Sequence, residues 1–67
     1  MEETHPQYYS RFAIEPLAFI EANKLDFLQG NIIKYVCRFD QKDGLRDLEK
    51  ARYYLDRLIA REKGEKQ

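Results

Sequence analysis

Phe27-Leu28-Gln29-Gly30-Asn31-Ile32-Ile33-Lys34-Tyr35-Val36-Cys37-Arg38-Phe39 is the stretch that decides the fold. Set on a helical wheel at 100° per residue, Leu28, Ile32, Ile33, Tyr35, Val36, Cys37 and Phe39 spread over roughly 200° of arc. Asn31, Lys34 and Arg38 fall on one narrow polar stripe, at i, i+3 and i+7. A helix that is apolar over more than half its girth is a central helix. Two further helices of similar length cannot cover all of it, so the pattern predicts self-association as well as a helical fold. Asp26, just ahead of the run, suits the N-cap position. Gly30 costs about 1 kcal/mol relative to alanine one turn into a helix. Close helix packing would explain it, and so would a ligand lying against the backbone.

Working outward, a first helix is predicted over about 16–23. Pro16 favours the first helical position and Glu15 sits ahead of it, where an acid suits the helix dipole. Residues 1–13 have no clear period and read as an extended arm, with His5 and three aromatics at Tyr8, Tyr9 and Phe12. On the other side, Asp40 to Gly44 is a loop. Asp43 can cap a third helix over about 45–62. Its apolar face would be Leu45, Leu48, Ala51, Leu55, Leu58 and Ile59, with Leu55 central and packed on Ile32, Val36 or Phe39. The opposite face carries Arg46, Lys50, Arg57 and Arg61, flanked by Tyr53 and Tyr54. A solvated face has that composition, and so does a nucleic-acid contact. Residues 64–67 read as a frayed tail. The expectation is an all-α fold of three helices in one domain over 1–67, assembled as an oligomer.

Size and composition exclude much else. A chain of 67 residues has no room for a nucleotide fold of alternating strands and helices, nor for a cleft between two domains. Twelve Lys and Arg balance twelve Asp and Glu. That balance argues against a histone-like partner for nucleic acid. The charge is uneven, however: residues 1–29 carry five acids and two bases, while residues 30–67 carry seven acids and ten bases. Such asymmetry favours head-to-tail contact between copies or an anionic ligand on the second half. No apolar run approaches the roughly 18 residues that span a membrane, and the acidic start does not resemble a secretory signal. A lone cysteine, Cys37, makes no internal disulfide or zinc site and reads as a small core residue. A reducing cytoplasm is expected.

The stripe on the second helix carries the most chemistry. Lys34 and Arg38 repel mildly at i and i+4, and half-buried they need anions nearby. Those anions could be acids of this chain. They could equally be phosphate oxygens, which Arg grips in a bidentate fork and Lys as a point charge. His5 is a surface residue or a donor near pH 7. The phosphate-loop signature is absent, yet Lys42, just before a helix, is a reasonable phosphate contact.

From His5 to about Ile59 the chain carries a series of spaced pieces: His5 with a following Tyr, Ile14-Glu15-Pro16, Phe19-Ile20-Glu21-Ala22, Leu25-x-Phe27, Gly30-Asn31-x-Ile33-Lys34-Tyr35-x-x-Arg38, Lys42-Asp43-Gly44 and Asp47-Leu48-x-Lys50-Ala51-x-x-Tyr54-Leu55. In these pieces it resembles a small bacteriophage family of unknown function, related to a segment of a nucleotide kinase from short-tailed coliphages that lacks the usual phosphate-binding loop. Ala18 stands where family members often have an acid, and Tyr53 where they often have Trp. The resemblance implies a phage protein that binds a nucleotide or similar phosphate compound. His5, Asn31, Lys34, Arg38 and Lys42 would hold phosphates, with Tyr8 or Tyr35 stacked on a base. It extends to nucleotide kinase activity, with magnesium as cofactor in that case. Asp47 is then the best candidate for the base, although a helix-dipole acid would look the same. A second class stays open: a phage interaction protein that binds a host factor or sequesters a signalling nucleotide. It would use the aromatic arm and the basic third helix.

Overall fold

A computed structural model of the chain describes residues 11–65. It contains three helices, α1 (Pro16–Ala22), α2 (Phe27–Arg38) and α3 (Leu45–Ala60), and no strand among the described residues. The helix boundaries fall within two residues of those expected. Most of the arm, including His5 and Tyr8, lies outside the described residues. Its last part is tied to α2: Arg11 Nη2 donates to the Cys37 carbonyl at 3.1 Å and pairs with Asp40 Oδ1 at 2.6 Å.

Each helix starts and stops for a local reason. Pro16 opens α1 with its ring already at helical φ. The helix closes in a Schellman motif. Lys24 takes the left-handed position at φ 53°. The Lys24 and Leu25 amides then donate back to the Glu21 and Ile20 carbonyls, each at 3.1 Å. At α2 the expected cap is present as a full capping box. Asp26 accepts from the Gln29 amide at 2.9 Å, while the Asp26 amide donates to Gln29 Oε1 at 3.1 Å. Asp26 also pairs with Arg61 at 3.0 Å, joining the start of α2 to the end of α3.

The cap of α3 differs from expectation. Gly44, not Asp43, is the N-cap, and it contributes no side chain. Its φ of 55° and ψ of −126° form a combination open essentially to glycine alone. Asp43 instead donates its amide to Asp47 Oδ2 at 3.2 Å, so the first-turn acid reaches back over the helix start. After α3, residues Arg61–Glu65 form one wider turn, with Gly64 at φ 89°.

Packing settles the question of Gly30. It is buried, and a Cβ built there would lie 3.2 Å from Ile20 Cγ2. The absent side chain lets α1 approach α2 closely. α2 and α3 run antiparallel, joined by a 3-10 turn at Phe39–Gln41. The face α3 turns to α2 carries Asp47, Ala51, Tyr54 and Leu58, which corrects the expected face by roughly 70° on the wheel. Leu55, expected at the centre of that contact, is exposed, as are Leu45, Leu48 and Ile59. The cause is polar and aromatic: a cross-helix ion pair and a tyrosine stack hold α3 in this rotation. No helix among the described residues is long and apolar enough to cross a membrane.

Candidate functional site

Arg38 and Asp47 form the polar link between α2 and α3. Arg38 Nε donates to Asp47 Oδ2 and Nη2 to Oδ1, both at 3.2 Å. The Asp47 side chain is fully buried. Burial alone would raise its pKa, but hydrogen bonds from Arg38 and the Asp43 amide outweigh that and hold the carboxyl below its ordinary value. Of the two kinds of anion the polar stripe called for, Arg38 has therefore found one inside the chain. The same geometry revises the catalytic candidate. A carboxylate sealed from solvent and gripped by a guanidinium is a structural anion, not a base that reaches a substrate.

Next to this pair lies a cluster of rings and cations. Tyr35 of α2 and Tyr54 of α3 stack with centroids 6.0 Å apart and planes 6° from parallel. Tyr54 also makes T-shaped contacts with Phe27 and Tyr53, with ring centroids 5.9 Å and 5.3 Å apart. Three cations lie over the Tyr35 ring: Arg38 at 4.7 Å, Lys34 at 4.8 Å and Lys50 at 5.3 Å. Cations gather on a tyrosine face because the ring quadrupole is negative there. Tyr53 is exposed, and its hydroxyl accepts from Arg57 Nη1 at 3.1 Å.

Beside these rings runs a shallow groove of about 320 Å³, lined by Tyr35, Arg46, Glu49, Lys50, Tyr53 and Tyr54. Neither Arg46 nor Lys50 has an ion-pair partner among the described residues. The groove thus offers aromatic faces, two cations and one carboxylate acceptor within a few turns of two helices.

The structure divides the residues expected to act together. Tyr35 lines the groove, with Lys34 and Arg38 around its ring. Asn31 and Lys34 also border a second, smaller groove of about 230 Å³ with Leu17, Ile20, Leu25 and Phe27. There Asn31 Nδ2 donates to the Phe27 carbonyl at 2.9 Å, one turn back on its own helix. Lys42 stands exposed in the turn before α3 and lines neither groove. Arg46, Lys50, Tyr53 and Tyr54 were visible as a basic, aromatic flank of α3. What the pattern lacked was the rotation that brings Tyr54 against Tyr35.

A family model described as a protein of unknown function, DUF3310, matches residues 3–56. The chain belongs to the DUF3310 family. No curated protein and no solved structure gives a significant match. The DUF3310 match takes in α1, α2 and most of α3. It includes the Arg38–Asp47 pair and all six residues that line the Tyr35 groove.

Proposed function

We propose that this DUF3310 protein is a self-associating phage protein that binds a nucleotide or related phosphate compound in the Tyr35 groove. Its place of action on this reading is the cytoplasm of the infected cell. The observation that carries the reading is the union of stacked tyrosines with Arg46 and Lys50 in one groove. A base stacked on an exposed aromatic ring gains about 1–3 kcal/mol, largely irrespective of base identity. Tyr53 offers such a ring. Arg46 suits a phosphate as a bidentate fork and Lys50 as a point charge. Glu49 supplies an acceptor for an amino group on a base. The resembled kinase adds phosphoryl transfer, which is largely positioning and charge neutralisation. In that case the groove supplies cations, and the base is a residue other than Asp47.

A thermal-shift screen with nucleoside mono-, di- and triphosphates, and with inorganic phosphate, tests the reading. A true ligand at a hundredfold excess over its Kd stabilises by about 2.7 kcal/mol. Lys50→Ala and Arg46→Ala should remove the shift while Lys42→Ala keeps it. A flat response to every compound would contradict the reading and leave the host-interaction class in its place.

A further inference from the structure

The side of α3 turned away from Tyr35 carries a row of apolar side chains interrupted by Arg52, with no cover among the described residues. Leu45, Leu48, Leu55 and Ile59 are 69%, 37%, 45% and 44% exposed. They share about 80° of the helical wheel. Val36 of α2, 46% exposed, extends the patch. It lies two turns along the same side of α2 as Gln29, and Gln29 borders a groove with Leu55 and Ile59. Ala51 and Pro16 are the buried apolar side chains among the described residues. The described residues leave this apolar face uncovered within one copy.

The order of the stripe indicates what completes it. Leu45 and Ile59 each lie seven residues from Arg52, while Leu48 lies four before it and Leu55 three after. Turned antiparallel about a two-fold axis at Arg52, the stripe meets itself. Leu45 of one copy reaches Ile59 of the other, and Leu48 reaches Leu55. Such self-complementarity is what an isologous interface requires, since one patch must serve both sides. The three-, seven- and four-residue steps are also those that interlock paired helices. At about 24 Å, α3 is long enough for four turns of contact. Twelve acids and twelve bases leave no net charge to repel a second copy. Arg52, on the axis, is offset by Glu49 and Asp56 one turn to either side.

We infer that this face is the interface of an isologous dimer, with α3 packed antiparallel against α3 of a second copy. The Tyr35 groove stays open on the far side of each α3. This rests on the self-association in the reading above and assigns it a surface and a geometry.

The test is cysteine cross-linking of the full chain with Cys37→Ser as background. Arg52→Cys puts a thiol on the axis without touching the apolar stripe. Lys42→Cys, in the turn before α3, is the control. Under mild oxidation Arg52→Cys should form covalent dimer at least tenfold faster than Lys42→Cys. Light scattering of the unmodified chain should give about twice its 8.1 kDa mass. An oligomer in which both thiols cross-link at similar rates overturns this interface but leaves self-association standing. A monomer at micromolar concentration overturns both. Neither result bears on ligand binding, which the thermal-shift screen decides separately.

Discussion

A carboxylate with no solvent exposure in a chain of 67 residues must be answered by a cation, and at Asp47 that cation is Arg38. Removing one partner strands the other in a dry site, which costs about 3 kcal/mol or more. A domain of this size has about 3–5 kcal/mol of stability in hand. Asp47→Asn and Arg38→Ala are therefore each predicted to unfold most of the chain at 37 °C, as urea titration followed by circular dichroism would show. Lys50→Ala and Arg46→Ala, at the groove, should stay within about 0.5 kcal/mol of the parent. The depressed pKa values of Asp47 and of Asp26, the latter held low by the Gln29 amide and Arg61, both feed the acid response. A carboxyl that titrates lower when folded than when unfolded stabilises above its unfolded pKa, and that contribution fades as pH falls through the folded value. Stability should thus decline below about pH 4, with a shallower slope in Asp47→Asn when both chains are compared at a temperature low enough for the variant to fold. Sequence alone showed Arg38 as a cation needing an anion. It did not identify Asp47, because the pair closes across a turn whose geometry depends on a positive φ at Gly44.

Among the elements, the turns carry the conformational strain. Lys24 holds the left-handed position that ends α1, where glycine fits without steric cost. Lys24→Gly is predicted to stabilise by about 0.5–1 kcal/mol, read as a rise in Tm. Gly44→Ala should do the opposite, by about 1–3 kcal/mol, because its backbone conformation excludes a Cβ even where space is open. Helix existence and extent were legible because apolar period, Pro16 and Asp26 all pointed the same way. The Gln29 half of the capping box and the glycine start of α3 were not. A reciprocal cap needs a rotamer, and a bare N-cap leaves no side-chain signature.

Across the whole molecule, the roughly 70° rotation of α3 decides both surfaces. It turns Tyr54 onto Tyr35 and builds the groove, and it turns Leu55 outward. The apolar face was legible as a stripe. Its direction was not, since the wheel ranks hydrophobicity while the buried ion pair and the ring stack set the angle. Leu55 is exposed in one copy, so in the proposed dimer its contribution is to association. Leu55→Ala should lower Tm more at high than at low protein concentration, and the parent Tm should itself rise with concentration. The role in nucleotide binding proposed for the groove is tested most directly by a proton–nitrogen correlation NMR titration of the labelled chain with nucleoside mono- and diphosphates. The account predicts saturable shifts at Tyr35, Arg46, Lys50, Tyr53 and Tyr54, with Lys42 and Leu55 unmoved. Saturable shifts centred elsewhere, or none at millimolar nucleotide, would contradict it.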